Sequence, residues 1–234
     1  MKINLICLPY AGGWKHSYEA WRKYMPQEIS MYTVELKGRG SRIGQGFYDS
    51  FMEVVVDTLD QIISIIEKED YVLFGHSMGG GILINLMDVI DRRKLRKPLY
   101  LYISSFAPPH IKNDVILHEL PYHDFIKKIS ELGGIPDEIL ADERALKLCS
   151  TILLKDITLL EQHQWDEHLC LGDIPLIALC GSDDVTDYNI MKEWKRYTQG
   201  HFEVKEFHGN HFYLLHDADR VCSYILERII NIQI

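Results

Sequence analysis

The stretch of sequence that decides the fold is Tyr71–Gly81, which reads YVLFGHSMGGG. It begins as a short apolar strand, passes through the pattern Gly-x-Ser-x-Gly around Ser77, and continues into the helical pattern of Ile82, Leu83 and Leu86. A serine at so sharp a turn takes a strained backbone conformation, and the flanking glycines avoid collisions that a Cβ would cause. The context therefore predicts a nucleophilic serine; a purely structural glycine-rich turn is the alternative.

Strands and helices are predicted to alternate along most of the chain. Segments with helical period, such as Phe51–Ile66 and Val221–Ile229, lie between short apolar runs that are typical of strands. Strands joined by helices need crossover connections, so we expect an α/β fold with a mostly parallel sheet and helices on both faces. The six predicted strands are Ile3–Leu8, Met31–Leu36, Tyr71–Phe74, Leu99–Ser104, Ile174–Cys180 and His201–Phe207.

One segment interrupts this alternation. The chain of 234 residues is long enough for one sizeable core, so we expect a single domain over residues 1–234. Within it, residues 108–172 carry helical patterns and no convincing strand, which predicts a helical insertion. Such an insertion is either additional core or a lid over an active site. Its apolar stripes are Phe125, Ile126, Ile129 and Leu132, then, after a break at Gly133–Pro136, Leu148, Ile152 and Leu159.

Composition and charge exclude several classes of function. The chain has 34 acidic and 25 basic residues, a net charge of −9, which disfavours nucleic acid and anionic lipid as partners. No signal peptide or apolar run long enough to cross a membrane is visible, so a cytoplasmic protein is expected. The five cysteines are scattered, which indicates reduced thiols and no metal site. The basic run Arg92–Lys97 is interpreted as a solvated helix end, with partner docking as the alternative.

A serine nucleophile needs a histidine base later in the chain. His208, His211 and His216 follow the last predicted strand, whereas His201 begins that strand and so falls at the wrong end of a parallel sheet. His211 is favoured over His208, because it follows a Gly-Asn loop that can direct its side chain back over the sheet. A His208 and His211 metal pair is disfavoured, since no third ligand lies nearby. His76 is assigned a packing or hydrogen-bonding role.

The histidine in turn needs a carboxylate to orient it. The predicted strand Ile174–Cys180 ends in Gly-Ser-Asp-Asp, which offers Asp183 and Asp184. Asp184 is favoured as this carboxylate, and Asp183 is the alternative. The purely structural interpretation is that both are solvated loop acids that cap the following helix. The backbone N–H of Met78, at the start of the helix after Ser77, is positioned to stabilise an oxyanion.

Four segments together resemble the type II thioesterases, the α/β-hydrolases that edit nonribosomal peptide and polyketide synthesis. The first two, Leu8–Gly13 and Val34–Arg42, are similar to that family's Phe-Pro-x-Ala-Gly-Gly and Val-Glu-Leu-Pro-Gly-Arg-Gly-x-Arg motifs. Leu132–Pro136, with Leu154-Lys155-Asp156 behind it, resembles its lid, and Gly209–Leu214 resembles Gly-Gly-His-Phe-Phe-Leu. Lys37 and Asn210 depart from those motifs, where the family has proline and glycine.

The resemblance implies a site and a reaction. The implied triad is Ser77, Asp184 and His211, with the backbone N–H groups of Ala11 and Met78 as the oxyanion hole. The implied substrate is an acyl group on the phosphopantetheine arm of an acyl or peptidyl carrier protein, which would be the partner of this hydrolase. The hydrolase itself needs no cofactor and is expected to be a monomer. Tyr10 and Trp14 either line an acyl pocket or belong to the core.

Other activities remain open on the sequence alone. A carboxylesterase, or a medium-chain acyl carrier protein thioesterase of fatty acid synthesis, would share the same triad and fold. An acyltransferase would pass the acyl group to an alcohol or amine instead of water. A carrier-binding module with a disused triad is the non-enzymatic alternative. Retention of all three triad residue types in the order Ser, Asp, His argues against it.

Overall fold

The computed structural model describes residues 2–112 and 114–231. Within these residues six strands form one sheet in the order β2-β1-β3-β4-β5-β6, and every neighbouring pair is parallel. The predicted α/β class and its parallel sheet are confirmed. The strands are β1 Ile3–Leu8, β2 Ile29–Thr33, β3 Asp70–His76, β4 Leu101–Ser104, β5 Leu176–Gly181 and β6 Phe202–Phe207.

Helices cover both faces of the sheet. Apolar side chains of α1 and α2 pack on one face, and those of α8 pack on the other beside Trp21 and Tyr213. The helices are α1 Phe51–Ile66, α2 Met78–Arg92, α3 Tyr122–Glu131, α4 Asp137–Leu140, α5 Glu143–Gln162, α6 Tyr188–Lys192, α7 Tyr213–His216 and α8 Ala218–Asn231. Short 3-10 helices lie at Glu19–Tyr24, Gly40–Gln45, Leu117–Glu119 and Glu193–Tyr197.

The second strand differs from its predicted position. It was expected at Met31–Leu36 but covers Ile29–Thr33, although Val34 and Leu36 are fully buried. After the strand ends, the backbone N–H of Glu35 donates to the Gln61 side chain at 3.1 Å, so the chain leaves the sheet while remaining in the core. The prediction was shifted because an apolar run indicates buried residues, not pairing, and the buried residues continue past Thr33, the last residue of β2 that pairs with β1.

The segment between β4 and β5 contains α3, α4 and α5. Its own small core joins α3 to α5 through Phe125, Ile129, Leu153 and Ile157. The predicted stripe on α5 is partly wrong, because Leu148 is 52% exposed whereas Ile152 is buried. The first half of α5 packs against the small core through Leu146 and Cys149, which lie on a different face of the helix from Leu148.

Two further observations concern the chain as a whole. All five cysteines are free thiols, three of them buried, with Cys149 half-buried and Cys170 exposed. Among the described residues, no helix combines the length and apolar character that crossing a membrane requires.

Candidate active site

Ser77 lies at the turn between β3 and α2. Its backbone is at φ 52° and ψ −121°, in the left-handed half of conformational space that a non-glycine residue rarely adopts. A Cβ at Gly75 would collide with the carbonyl of Gly79, and a Cβ at Gly79 would collide with that of Leu8. The two glycines therefore allow the strand and the helix to meet tightly enough to lift the serine above the sheet, as the sequence predicts.

His211 and Asp184 form a buried pair at the same edge of the sheet. Asp184 follows β5 and His211 follows β6, and the imidazole Nδ1 lies 3.0 Å and 3.2 Å from the two carboxylate oxygens. Both residues are 8% exposed. The ring of His76, the residue before Ser77, lies 4.9 Å from the ring of His211. The carboxyl ends of β3, β5 and β6 therefore bring the three predicted side chains to one region.

The pair is electrostatically asymmetric. Burial alone would raise the pKa of Asp184, but its hydrogen bond to His211, the positive charge that this ring carries when protonated, and a hydrogen bond from the backbone of Thr186 act together to lower it. The Asp184 carboxylate thus stays charged through the neutral and mildly acidic range, in which it can accept a hydrogen bond from Nδ1–H. This leaves Nε2 of His211 as the nitrogen that can take a proton from a nucleophile.

Asp183 and His208, the alternatives to Asp184 and His211, both lie at the protein surface. Asp183 is exposed, and its backbone N–H donates to the Gly209 carbonyl at 2.9 Å. His208 is exposed too, with Nδ1 at 3.4 Å from the Ser182 hydroxyl. Neither side chain contributes to the buried pair, so the geometry favours Asp184 and His211.

Ala11 and Met78 present backbone N–H groups near this turn. Met78 is the first residue of α2, and Ala11 lies in the loop after β1. In the hydrogen bonds formed by residues 2–112 and 114–231, neither N–H has an acceptor. Two such donors without acceptors can bind the oxygen of a tetrahedral intermediate, so both residues remain our candidates for an oxyanion hole.

Tyr10 and Trp14 have different environments. Tyr10 is half-buried, and its ring packs edge-on against Phe212 at 5.0 Å and against His76 at 5.9 Å. Trp14 is 45% exposed and packs on His16. Tyr10 therefore contacts the residue before Ser77 and the residue after His211, while Trp14 lies at the protein surface. A substrate-binding role for either residue stays a prediction.

His76 is fully buried behind the site. Its Nδ1 lies 2.8 Å from the Ser104 hydroxyl, which in turn lies 2.7 Å from the Tyr213 hydroxyl. Burial, together with the nearby charge of His211, lowers the pKa of His76 well below its ordinary value. The neutral ring therefore supports the packing under the active site and adds no charge to it.

Sequence reasoning missed the roles of Arg39 and Asp156. The Arg39 guanidinium holds both oxygens of the Asp156 carboxylate, at 2.5 Å and 2.6 Å, and both side chains are 3% exposed. Asp156 also accepts the backbone N–H of Gly12 at 2.8 Å, and Arg39 donates to the Gly13 carbonyl at 3.2 Å. This ion pair links α5 to the loop that carries Ala11. The sequence signal that could have indicated this ion pair is Asp156 itself, an acidic residue within an apolar face of α5.

We expect Asp156→Asn to destabilise the protein by about 3–5 kcal/mol, because it leaves the Arg39 guanidinium buried without a counter-charge. Urea unfolding measures this loss. Glu131→Gln is the control, since Glu131 pairs with Lys128 on the surface of α3 and its loss is expected to cost at most about 1 kcal/mol. Equal losses in the two variants would contradict the structural role given to Asp156.

No group of three or more metal-ligating side chains occurs within the described parts of the chain.

The element order and the turn at Ser77 place the chain among the α/β-hydrolases. Solved structures agree over nearly the whole length. ClbQ of the colibactin pathway is similar with a TM-score of 0.92 and 27% identity, covering 100% of this chain and 99% of its own. The RedJ thioesterase of the prodiginine pathway in Streptomyces coelicolor is similar with a TM-score of 0.87 and 28% identity, covering 95% and 89%.

Sequence comparison gives the family. The model of the thioesterase domain family matches residues 3–229, so the chain belongs to that family, and the resemblance seen in the sequence is confirmed. GrsT, a gramicidin S biosynthesis protein of Aneurinibacillus migulanus, is 27% identical over 97% of this chain and 89% of its own length. The medium-chain S-acyl fatty acid synthase thioesterase of Homo sapiens is 26% identical, over 96% and 86%.

Proposed function

We propose that this protein is a serine thioesterase that releases acyl groups from the phosphopantetheine arm of carrier proteins. The observation that carries the proposal is the buried Asp184–His211 pair beside the strained Ser77, in a chain of the thioesterase domain family. Hydrolysis by these residues needs no separate cofactor.

In the first half of the proposed reaction, the Ser77 hydroxyl attacks the thioester carbonyl while His211 Nε2 takes its proton. The carbonyl oxygen becomes an oxyanion, which accepts hydrogen bonds from the N–H groups of Ala11 and Met78. The intermediate collapses, the carbon–sulfur bond breaks, and the thiol of the arm leaves with a proton. The acyl group then remains as an ester on Ser77.

In the second half, water replaces the serine as the nucleophile. His211 takes a proton from the water as it attacks the ester, and then returns a proton to the Ser77 oxygen as the carboxylic acid leaves. Asp184 holds the imidazole in one tautomer throughout and stabilises its positive charge. Asp156 keeps the Ala11 loop in place through Gly12, so it acts as a positioning residue.

The relatives favour an editing role in the assembly of natural products. GrsT belongs to gramicidin S biosynthesis, and the structures of ClbQ and RedJ come from the colibactin and prodiginine pathways. We propose that the chain likewise clears stalled or misloaded acyl groups from a nonribosomal peptide or polyketide synthase. We further propose that residues 108–172 form a lid over the cleft.

A second candidate rests on the similarity to the human medium-chain thioesterase. In that case the substrate would be a fatty acyl chain on the carrier of a fatty acid synthase, released by the same residues. The two candidates differ in the acyl group and share the phosphopantetheine thioester.

The test is hydrolysis of a panel of acyl groups, each presented on a phosphopantetheinyl carrier protein, on free coenzyme A and as a nitrophenyl ester. We expect the carrier-bound thioester to have the highest kcat/KM, with acetyl, aminoacyl and short acyl groups accepted. A strong preference for medium-length fatty acyl chains would favour the second candidate. Preference for the nitrophenyl ester, with the carrier ignored, would overturn the proposal in favour of an esterase.

A further inference from the structure

An exposed groove lies between the loop that follows β2 and the first half of α5. Three apolar side chains, Ile43, Phe47 and Leu148, line it with exposed fractions of 59%, 36% and 52%. Arg144 and Lys147 of α5 line the same groove. We call the surface that these five residues line the lid groove. Apolar side chains exposed together in one concave surface are typical of a site for a partner.

The charge of the lid groove is opposite to that of the whole chain. The protein carries a net charge of −9, yet both charged residues of the groove are cations. Two acids lie close by in sequence and do not line the groove. Asp142 is the N-cap of α5, and its carboxylate accepts the backbone N–H groups of Arg144 and Ala145 at 2.9 Å and 3.0 Å, while Glu143 is exposed in the first turn of α5. An acidic partner would therefore meet attraction here and repulsion over much of the remaining surface.

The lid groove lies close to the candidate oxyanion hole. Gly38 also lines it, and the next residue, Arg39, forms the ion pair with Asp156. Leu148 precedes Asp156 by eight residues, about 12 Å along the helix axis. Asp156 in turn binds the N–H of Gly12, beside Ala11. A partner bound in the groove is thus near enough for an extended arm to reach the candidate oxyanion hole.

We propose that the lid groove is the docking surface for the acidic carrier domain, an inference that rests on the proposed function. The apolar side chains contact apolar residues of the carrier, while Arg144 and Lys147 pair with its carboxylates. A guanidinium can bind a carboxylate through two parallel hydrogen bonds, which fixes orientation as well as attracting charge. The groove thereby directs the phosphopantetheine arm toward Ser77.

The test compares two substrates that carry the same acyl group, one on a carrier domain and one on N-acetylcysteamine. For the double variant Arg144→Glu/Lys147→Glu, we expect the ratio of their kcat/KM values to fall about tenfold or more, chiefly through KM for the carrier. The matched control is Arg92→Glu/Arg93→Glu, which reverses two charges at the end of α2 remote from Ser77. The control ratio should stay within about twofold of wild type.

Leu148→Ser provides a second, uncharged variant, and it is also expected to lower the ratio. Because Arg144, Lys147 and Leu148 are exposed, thermal unfolding of the variants should match that of wild type. An unchanged ratio in both groove variants overturns the docking surface and leaves the proposed function standing. A change in acyl-length preference on N-acetylcysteamine overturns it in favour of an acyl site. If wild type does not hydrolyse the carrier-bound thioester, the proposed function fails, and the docking proposal fails with it.

Discussion

Replacing Ser77 with alanine is expected to lower kcat/KM for acyl thioesters by at least about 10⁴-fold, because no other group in the site can form the acyl-enzyme. The fold should persist. Alanine keeps the Cβ of serine and so adds no strain at φ 52°, and the Ser77 side chain makes no hydrogen bond that caps α2. We expect the free energy of unfolding to change by less than about 0.5 kcal/mol.

Covalent labelling and a control variant test whether Ser77 is the nucleophile. Intact-mass spectrometry after incubation with a fluorophosphonate should show one adduct on wild type and none on Ser77→Ala. Ser64→Ala, on the exposed side of α1, is the matched control and should retain full activity and labelling. Substantial hydrolysis by Ser77→Ala would remove the basis for the whole site assignment.

Asp184→Asn is the second change with a large expected effect. The amide that replaces the carboxylate can donate a hydrogen bond to Nδ1 of His211, which would hold the imidazole in the tautomer that cannot accept the serine proton at Nε2. It also removes the negative charge that stabilises the protonated ring. We expect kcat/KM to fall about 10³- to 10⁴-fold, measured with the best thioester of the panel.

Asp183→Asn is the matched control for this variant, because it makes the same chemical change one residue earlier. The Asp183 side chain is exposed and lies outside the buried pair, so its activity should stay within about twofold of wild type. A larger loss in Asp183→Asn than in Asp184→Asn would show that the carboxylate has been misassigned.

The features that could be predicted from the sequence are those with a local cause. The turn at Ser77 is set by glycines within a few residues, and the helix α1 at Phe51–Ile66 follows from its apolar spacing and from Ser50, which caps it. The parallel sheet follows from the alternation of strands and helices. The choice of Ser77, Asp184 and His211 as the candidate triad rests on chain order combined with the position of each residue after its strand, and it stays a prediction.

What could not be predicted depends on contacts between distant segments. Arg39 and Asp156 are 117 residues apart. The position of Asp156 within an apolar helical face suggests a buried partner, but nothing near it in the sequence identifies that partner as Arg39. Leu148 has the spacing of a buried residue, but whether a helix face is covered depends on which distant segments pack against it. The departure of the chain from β2 similarly involves the Gln61 side chain, which accepts the backbone N–H of Glu35 two residues after the strand ends.

The ion pair between Arg39 and Asp156 also constrains the engineering of this enzyme. Transplanting the segment between β4 and β5 from a homologue would import that homologue's residue at position 156. If that residue has no carboxylate, the Arg39 guanidinium is buried without a counter-charge, and the chimera loses stability even where its new helices pack well. Positions 39 and 156 must therefore stay matched, so a stable chimera either exchanges both residues together or keeps both.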